Sequence, residues 1–397
     1  MKKIHLFWGT ALTLFFVVFP VLAQNTAQND SLNYSRKIIV YKNWFNQHKK
    51  QDSLLNFAGA VKIKHLKLNN STSVYLTPQA EDYLRNQKEI LRIDQDLVIQ
   101  VHEKKDKKKK SQPPEILPWG IARIFADLAW SSTKGAGIKL AILDTGINLD
   151  HPDLQNNIKG NINFIKPKNT GDDDNGHGTH VAGIAAAVDN EIGVIGTGPE
   201  ISLYAVKVLD KKGNGWLSDL IEALNWCIEN RIQVINMSFG STTDNLSFHE
   251  AIIKAYNAGI LMVSSAGNNG LSGGIIEYPA KYPEVIAVSA MDQFNHIASF
   301  SSFGPETELI APGVYIFSTY KNGSYAYMEG TSMASPFVSG TAALLLTTTI
   351  QARYDLNHNN QWDPAEIRLK LKETAENLGL PPHQQGEGLI RADLVVY

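Results

Sequence analysis

Apolar runs of four to seven residues alternate with amphipathic patterns along the last two thirds of the chain. The runs predict strands and the amphipathic patterns between them predict helices. Predicted strands cover residues 138–143, 202–208, 234–237, 261–265 and 285–289, and predicted helices cover residues 177–188, 218–230 and 245–258. Continuous apolar strands separated by helices are typical of a mainly parallel sheet with helices on both faces. We therefore predict an α/β fold that binds its ligand at the carboxyl ends of the strands.

A shorter pattern precedes this region. Apolar runs typical of strands lie at residues 37–41, 59–63, 73–76 and 96–101, with a helical pattern at 78–86. Residues 36–102 therefore predict a small α+β unit of four strands and about two helices, without a catalytic constellation. The charge run at residues 103–114 cannot pack, so we predict a solvated, protease-accessible linker there. A nucleic-acid or nuclear-localisation tail is the alternative.

The amino terminus carries a secretory pattern. Lys2 and Lys3 precede about 16 mostly apolar residues at 6–21, and small residues at 21–23 fit a cleavage site. We interpret residues 1–23 as a signal peptide and expect a secreted protein, extracellular or periplasmic. An uncleaved membrane anchor is the alternative. The single cysteine, Cys227, lies in a helical pattern, cannot form an internal disulfide, and is predicted to be a small core residue.

Charge separates the two regions. Residues 1–113 carry 19 Lys and Arg against 9 Asp and Glu, whereas residues 114–397 carry 18 against 30. Opposite charges favour docking of the front region on the body. The acidic excess of the body argues against a nucleic acid as partner.

Three polar residues stand where the predicted strands end or the helices begin. Asp144 ends the first strand, His177 opens a helix between glycines, and Ser332 precedes the long apolar run at 337–346. A helix start gathers free backbone N–H groups and the positive end of the helix dipole, which would stabilise negative charge at Ser332. Asp, His and Ser displayed from one sheet edge form the set that a serine nucleophile needs, although a plain N-cap is the alternative for Ser332 alone.

The motifs around these residues resemble those of the subtilisin-type serine proteases, the subtilase family. The resemblance covers nearly all of residues 115–397. It rests on residues 144–146 (Asp-Thr-Gly), 177–180 (His-Gly-Thr-His), 236–240 (Asn-Met-Ser-Phe-Gly), 266–269 (Ala-Gly-Asn-Asn) and 330–336 (Gly-Thr-Ser-Met-Ala-Ser-Pro). It implies a subtilisin-like three-layer fold with a mainly parallel central sheet. Residues 36–102 resemble, more weakly, the family's inhibitory propeptide, so the expected domains are a signal peptide (1–23), a propeptide with a Lys-rich linker (24–110) and a catalytic domain (111–397).

The resemblance implies a role for each catalytic residue. Ser332 attacks the peptide carbonyl, His177 transfers the proton, and Asp144 holds the histidine tautomer and stabilises the imidazolium. Asn268 matches the amide of the oxyanion hole, with a turn residue as the alternative. His151 and His180 are expected to be structural.

Two segments match those with which the family binds an extended peptide as an added strand. They contribute Gly215 and Trp216 from one segment, and Ser238, Phe239 and Gly240 from the other. Glu277, in residues 276–283, matches the wall of the pocket for the residue before the cleaved bond (P1). A carboxylate there should favour Lys or Arg. A solvated surface glutamate is the alternative.

The linker bears on the same specificity. The family's usual junction would fall between Pro113 and Pro114, and a proline after the scissile bond makes a poor substrate. We therefore predict a self-cut after a lysine of residues 107–110, at Lys110.

Two segments are candidate sites for structural Ca²⁺. The first matches a calcium loop of the family, with side-chain oxygens or carbonyls from Glu115, Asp153, Val188, Asn190, Ile192 and Val194. The second is an insertion at residues 355–366 with the ligand spacing of an EF-hand loop, and Asn360 replaces the usual turn glycine. Its candidate ligands are Asp355, Asn357, Asn359, Gln361, Asp363 and Glu366. A polar surface loop is the alternative for the second segment.

These features predict a secreted, calcium-stabilised serine endopeptidase made as a self-processed zymogen. Its expected partners are protein or peptide substrates and its own propeptide as an intramolecular inhibitor, with no nucleic acid and no membrane after signal removal. A non-catalytic peptide-binding module on the same fold is the alternative, and a narrowly selective processing enzyme for basic sites would share the chemistry.

Overall fold

The computed structural model describes residues 33–101, 104–105, 112–270 and 274–397. The predicted signal peptide at 1–23 and the predicted junction at Lys110 lie outside these residues. Within the described residues, no helix has the length and apolar character needed to cross a membrane.

The described residues form sixteen strands and eleven helices. The strands are β1 (Ser35–Tyr41), β2 (Val61–Leu66), β3 (Ser71–Leu76), β4 (Ile90–Gln95), β5 (Val98–Gln100), β6 (Lys104–Lys105), β7 (Lys139–Asp144), β8 (Ile158–Asn163), β9 (Ser202–Lys207), β10 (Asn214–Trp216), β11 (Val234–Met237), β12 (Leu261–Ser265), β13 (Val285–Met291), β14 (Thr307–Pro312), β15 (Ile316–Tyr320) and β16 (Ser324–Glu329). The helices are α1 (His48–Phe57), α2 (Pro78–Arg85), α3 (Trp119–Arg123), α4 (Ala126–Ala129), α5 (His177–Ala186), α6 (Leu217–Glu229), α7 (Leu246–Asn257), α8 (Thr331–Leu345), α9 (Pro364–Glu373), α10 (Pro382–Gln385) and α11 (Ala392–Val396).

A seven-stranded sheet forms the centre of the large region, in the order β14-β13-β12-β11-β7-β9-β8. All of its pairings are parallel. The strand order reverses at β7, because β8 and β9 lie on one side of it and β11 to β14 on the other. Such a reversal opens a crevice at the carboxyl ends of the strands, where ligands bind.

Successive residues of β7 explain the three layers. Leu140 and Ile142 pack into the core that contains α5 and α8. Ala141 and Leu143 point to the opposite face, into the core that contains α6 and α7. Because both faces are buried, the strand is apolar throughout instead of alternating. The predicted three-layer α/β fold with a mainly parallel central sheet is confirmed.

Helix α8 runs through the middle of one layer. Every residue from Thr331 to Leu345 is buried, including Pro336 inside the helix. Cys227, on α6, is also fully buried and makes no disulfide, as predicted.

The small front region forms a four-stranded antiparallel sheet in the order β2-β3-β1-β4. Its fourth strand is β4, which the sequence analysis missed, and the predicted strand at 96–101 was wrongly assigned to this sheet. A register shift beside Tyr41 makes the buried residues of β4, Ile90 and Ile93, recur every three positions, which hides the strand pattern. The residues after β4 form β5, which pairs with β10 of the large region instead.

The front sheet docks on the amino-terminal ends of α6 and α7. Asp96 Oδ1 accepts a hydrogen bond from the Ser218 backbone N–H of α6 (2.9 Å), and Ser247 of α7 donates its hydroxyl to Asp94 Oδ2 (2.6 Å). Carboxylates are stabilised at helix amino termini by the dipole and the free N–H groups. Ion pairs of basic front residues with acidic body residues add to this docking, namely Lys64 with Asp219 and Glu222, and Arg92 with Glu250.

Candidate active site

Asp144 and His177 form a buried pair at the carboxyl edge of the sheet. Asp144 ends β7 and His177 begins α5, and His177 Nδ1 lies 2.8 Å and 2.9 Å from the two carboxylate oxygens. Both side chains are fully buried. Since Nδ1 carries the proton donated to Asp144, Nε2 of the neutral imidazole is the acceptor. A Cβ at Gly178 would lie 2.1 Å from Gly146 O, so the glycine lets the helix start this close to the strand.

Asp173 ties these two elements together, and the sequence analysis missed it. Its buried carboxylate accepts hydrogen bonds from the Thr145 hydroxyl and from the backbone N–H groups of Asn175 and Gly176. It also accepts both the N–H and the hydroxyl of Thr179. Burial raises the pKa of Asp173, which these donors oppose. Its position in an acidic run just before the start of α5 is the sequence signal that could have identified it.

Ser332 stands in the first turn of α8 and is 3% exposed. Its hydroxyl donates to Ser238 O at 3.1 Å. His177 Nε2 is buried and has no hydrogen-bond partner among the described residues. The structure therefore brings Asp144 and His177 together, but it directs the Ser332 hydroxyl to a carbonyl rather than to the imidazole. In an unreacted site such contacts are commonly long or misaligned, and rotation about one side-chain bond redirects a hydroxyl.

Asn268 is oriented by the residue before Ser332. Its Oδ1 accepts the Thr331 N–H at 2.9 Å and the Thr331 hydroxyl at 2.8 Å. This anchors the oxygen end of the amide, and both Asn268 and Ser332 line one small cavity. The predicted oxyanion-hole residue thus lies beside the predicted nucleophile.

The two predicted substrate-binding segments bind an extended strand of the same chain. β5 pairs antiparallel with β10, with Ile99 opposite Gly215, and Gln100 pairs with Gly240 on the other side through N···O distances of 3.4 Å and 3.2 Å. Ile99 is 1% exposed. It is buried in a core that also contains Leu217, Leu220 and Phe239. Trp216 faces Val98 in the pairing.

Glu277 is buried beside this strand. It is 2% exposed, so the alternative of a solvated surface glutamate is wrong. Its Oε1 accepts a hydrogen bond from Asn269 Nδ2 at 2.5 Å, and no Lys, Arg or His side chain among the described residues forms an ion pair with it. It lines a cavity of about 10 Å³ together with Ser332, Asn268, Gly240 and Gly267. Such a volume holds about one water molecule.

The residues of the first candidate calcium site form a hydrogen-bonded cluster around Asp153. Asn190 donates its amide to Asp153 Oδ1 (2.9 Å), and Glu115 Oε1 accepts the Asn190 N–H (2.7 Å). Val194 N–H donates to the second Asp153 oxygen (3.0 Å), and Val188 and Ile192 belong to the same loop. Burial raises the pKa of Asp153 to about 7 and raises that of Glu115 as well. Carboxylate, amide and carbonyl oxygens are the donors that Ca²⁺ prefers, so this set fits the ion.

The second candidate site is a compact loop between α8 and α9. Asp355 accepts the N–H groups of Asn359 (3.0 Å) and Asn360 (3.2 Å), and Asp363 accepts the side-chain amides of Asn357 and Asn359. Asn360 has a φ of 60°, the left-handed conformation expected from its position. Glu366 departs from the expectation, because its oxygens accept the N–H groups of Leu356 and Asp363. Gln361 N–H donates to Asn359 Oδ1.

Among the described residues, no cluster of three or more His, Cys, Asp or Glu side chains could hold a metal ion.

His151 and His180 have structural contacts. His151 Nε2 lies 3.0 Å from Ser324 O, and His180 Nε2 lies 3.1 Å from two carbonyl oxygens of β15 and β16. Burial lowers the pKa of His180 to about 3, so it stays neutral.

Replacement of Asp173 by Asn should loosen the link between Asp144 and His177. The amide nitrogen cannot accept the bonds that one carboxylate oxygen accepts now, and an unsatisfied buried donor costs about 1–3 kcal/mol. In a Ser332→Ala background, we expect Asp173→Asn to lower the thermal unfolding midpoint. In the protein that keeps Ser332, we expect Asp173→Asn to lower kcat/KM for a peptide substrate. The matched control is Asp189→Asn, whose half-exposed carboxylate pairs with the part-exposed Lys134 and should cost less than about 1 kcal/mol. Equal melting of the two variants would contradict this role.

Comparison with known proteins agrees with the fold. The subtilase family model matches residues 135–388. A thermostable alkaline protease of Halalkalibacterium halodurans is 44% identical over 306 residues, which cover 77% of this chain and 80% of the relative. Subtilisin DY of Bacillus licheniformis is 43% identical over 284 residues, which cover 70% of this chain and 98% of the relative. Subtilisin NAT of Bacillus subtilis subsp. natto is 37% identical over 396 residues, which cover 98% of this chain and 97% of the relative. This likeness therefore includes the front region. The chain therefore belongs to the subtilase family of subtilisin-like serine endopeptidases.

Proposed function

We propose that this endopeptidase cleaves proteins with Asp144, His177 and Ser332 as its catalytic triad and is made as an inactive, secreted precursor. The observation that carries the proposal is the buried His177–Asp144 pair at the carboxyl edge of the sheet, near a serine in the first turn of a buried helix. A peptide-binding module has no need of that pair, so the non-catalytic alternative is not favoured.

Each residue has a defined task in peptide hydrolysis. Ser332 Oγ attacks the carbonyl carbon while His177 Nε2 takes the hydroxyl proton, and Asp144 holds the Nδ1–H and stabilises the resulting imidazolium. The oxyanion is stabilised by the Asn268 amide and the Ser332 N–H at the start of α8, where the helix dipole also favours negative charge. His177 then protonates the leaving amine, and a water molecule hydrolyses the acyl-enzyme.

The front region is proposed to act as an inhibitory propeptide within residues 24–110, and residues 111–397 as the catalytic domain. β5 supports this proposal because it occupies the strand position that an extended substrate would take between β10 and Gly240. The contacts of Asp94 and Asp96 with α6 and α7 would hold the inhibitor in place. Residues 1–23 are proposed as the signal peptide, so we expect no membrane partner once it is removed. The acidic excess of the body argues against a nucleic-acid partner.

Glu277 is proposed to select Lys or Arg at P1. A buried carboxylate without a cationic partner among the described residues is costly, and a basic substrate side chain would supply that partner. Its place in the cavity with Ser332 and Asn268 supports the assignment.

Calcium is proposed to be structural at both candidate sites. At the first site a cation would neutralise the buried Asp153 and hold residues near Glu115 against the loop at Asn190. At the second site it would bind Asp355 and Asp363, with the neighbouring Asn oxygens.

Loss of the proposed nucleophile should abolish hydrolysis and processing together. Residues 24–397 with Ser332→Ala should lose kcat by on the order of 10⁶-fold, as for serine-protease triads generally, and Asn268→Ala should lose roughly 10²–10³-fold. The assay is hydrolysis of a peptide substrate, with the exposed Ser131→Ala as control. Wild-type turnover in the Ser332→Ala protein would contradict the triad.

Glu277→Gln should remove the charge while keeping the size of the side chain and the oxygen that Asn269 binds. We expect kcat/KM for substrates with Lys at P1 to fall roughly tenfold or more, and that for Leu at P1 to change little. The exposed Glu200→Gln is the matched control. An equal fall in kcat/KM for the Lys and the Leu substrate would show that Glu277 does not select the charge of the P1 side chain.

Removal of calcium should lower stability. At calcium a hundredfold above Kd, one site adds about 2.7 kcal/mol to the free energy of unfolding. Chelation should therefore lower the unfolding midpoint of the Ser332→Ala protein. Calorimetric titration with calcium should show the loss of the first site in Asp153→Asn and the loss of the second site in Asp355→Asn. Identical melting with calcium and with chelator would contradict both sites.

A further inference from the structure

We propose that the groove beside the start of α6 binds a Lys or Arg side chain of the substrate once the front region has left. The proposed subsite lies upstream of the substrate residues that would pair with β10, outside the backbone-paired strand. This inference rests on the proposed function, because it requires that a substrate takes the place that β5 holds in this structure.

The groove has a volume of about 650 Å³ and lies between the front region and the body. Its front wall includes Arg36, Lys64 and Val98, and its body wall includes Trp216, Asp219 and Glu222. Asp210 adds a third carboxylate to the body wall. Among the described residues that line the groove, the body contributes no Lys, Arg or His side chain. The body wall is therefore an aromatic and acidic surface, which attracts cations.

The aromatic part of this wall holds an arginine of the front region. The central carbon of the Arg36 guanidinium lies 4.3 Å from the centre of the Trp216 ring, and the guanidinium donates a hydrogen bond to the Ser218 hydroxyl at 2.9 Å. It also donates to Asp96, within the front region, at 2.6 Å. A guanidinium stacks on an aromatic face better than an ammonium group does. The departure of Arg36 would therefore open a place that suits another guanidinium.

The acidic part of the wall holds a lysine of the front region. Lys64 Nζ donates to a carboxylate oxygen of Asp219 and, at 2.7 Å, to Glu222. Burial raises the pKa of Asp219, and the positive charges of Lys64 and Arg36 oppose that rise. No basic side chain of the described body forms an ion pair with either carboxylate. Once the front region leaves, both carboxylates lose their cationic partners, and a basic substrate side chain would replace them.

The path of β5 explains how a substrate would reach the groove. Val98 pairs with Trp216, and Leu97 O then accepts the N–H of Leu217, the first residue of α6, at 3.0 Å. Followed upstream, the chain therefore runs from β10 onto the amino-terminal end of α6. Val98 itself lines the groove. Since side chains two residues apart on an extended chain point to the same face, a substrate in this place would direct an upstream side chain toward Trp216 and Asp219.

The test measures kcat/KM of the mature enzyme, obtained by processing of residues 24–397, with internally quenched peptides. The peptides share one cleavable sequence, and a single Arg is moved one residue at a time along an otherwise neutral upstream segment. Gln at the same position is the reference. We expect one upstream position at which Arg raises kcat/KM about threefold to tenfold over Gln. At that position Lys should raise it less than Arg, and Glu should lower it.

Glu222→Gln and Glu250→Gln form a matched pair of variants. Each removes one part-exposed carboxylate that pairs with a basic residue of the front region, Lys64 for Glu222 and Arg92 for Glu250. Of the two, only Glu222 lines the groove. We expect Glu222→Gln to reduce the Arg-to-Gln ratio of kcat/KM at the best position by about half or more, and Glu250→Gln to leave that ratio unchanged. Asp219→Asn should also reduce the ratio.

Three results would overturn the inference. An Arg-to-Gln ratio near one at every upstream position does so and leaves the protease assignment intact. Equal reductions of the ratio in Glu222→Gln and Glu250→Gln also do so, because they would show an effect of net charge rather than of the groove. A chain that hydrolyses none of the peptides overturns the inference together with the proposed function.

Discussion

The buried hydrogen bond between His177 and Asp144 is the constraint on which the rest of the site depends. A carboxylate and an imidazole without solvent exposure are stable only when their polar atoms are satisfied and their positions fixed. Asp144 is held by its own strand and by the Thr145 N–H. His177 is held by a helix whose start Asp173 ties to Thr145. His177 Nε2 is therefore directed toward the cleft by three features together: the sheet, the helix start and the buried carboxylate of Asp173.

The same edge of the sheet also contacts the front region. An open edge between β10 and Gly240 accepts any extended chain by its backbone, and such an edge is filled by β5. The front sheet keeps β5 there through contacts with helix amino termini, which are distant in sequence from the cleft. Under the proposed function, substrate binding and inhibition would therefore use the same backbone groups.

Much of the fold and of the candidate site was predictable from the sequence, because the local patterns of the large region agree with the elements that it forms. The apolar strands and the amphipathic helices give strong patterns, and Asp144, His177 and Ser332 stand at strand ends or helix starts. β8 was missed because it is an edge strand with a polar sequence. β4 was missed because a register shift changes its spacing. The burial of Glu277 depends on packing between segments that are far apart in the chain, which no local pattern records, whereas the acidic run before α5 is a local signal for Asp173.

The most direct test of the account is covalent labelling with a phosphonofluoridate, which reacts with serines activated by a neighbouring base. The account predicts one label per chain of mature enzyme, located on Ser332 by peptide mass mapping, with activity lost in proportion to labelling. It also predicts no labelling of the His177→Ala protein. Complete inactivation with the label on another residue, or full activity with Ser332 labelled, would contradict the account.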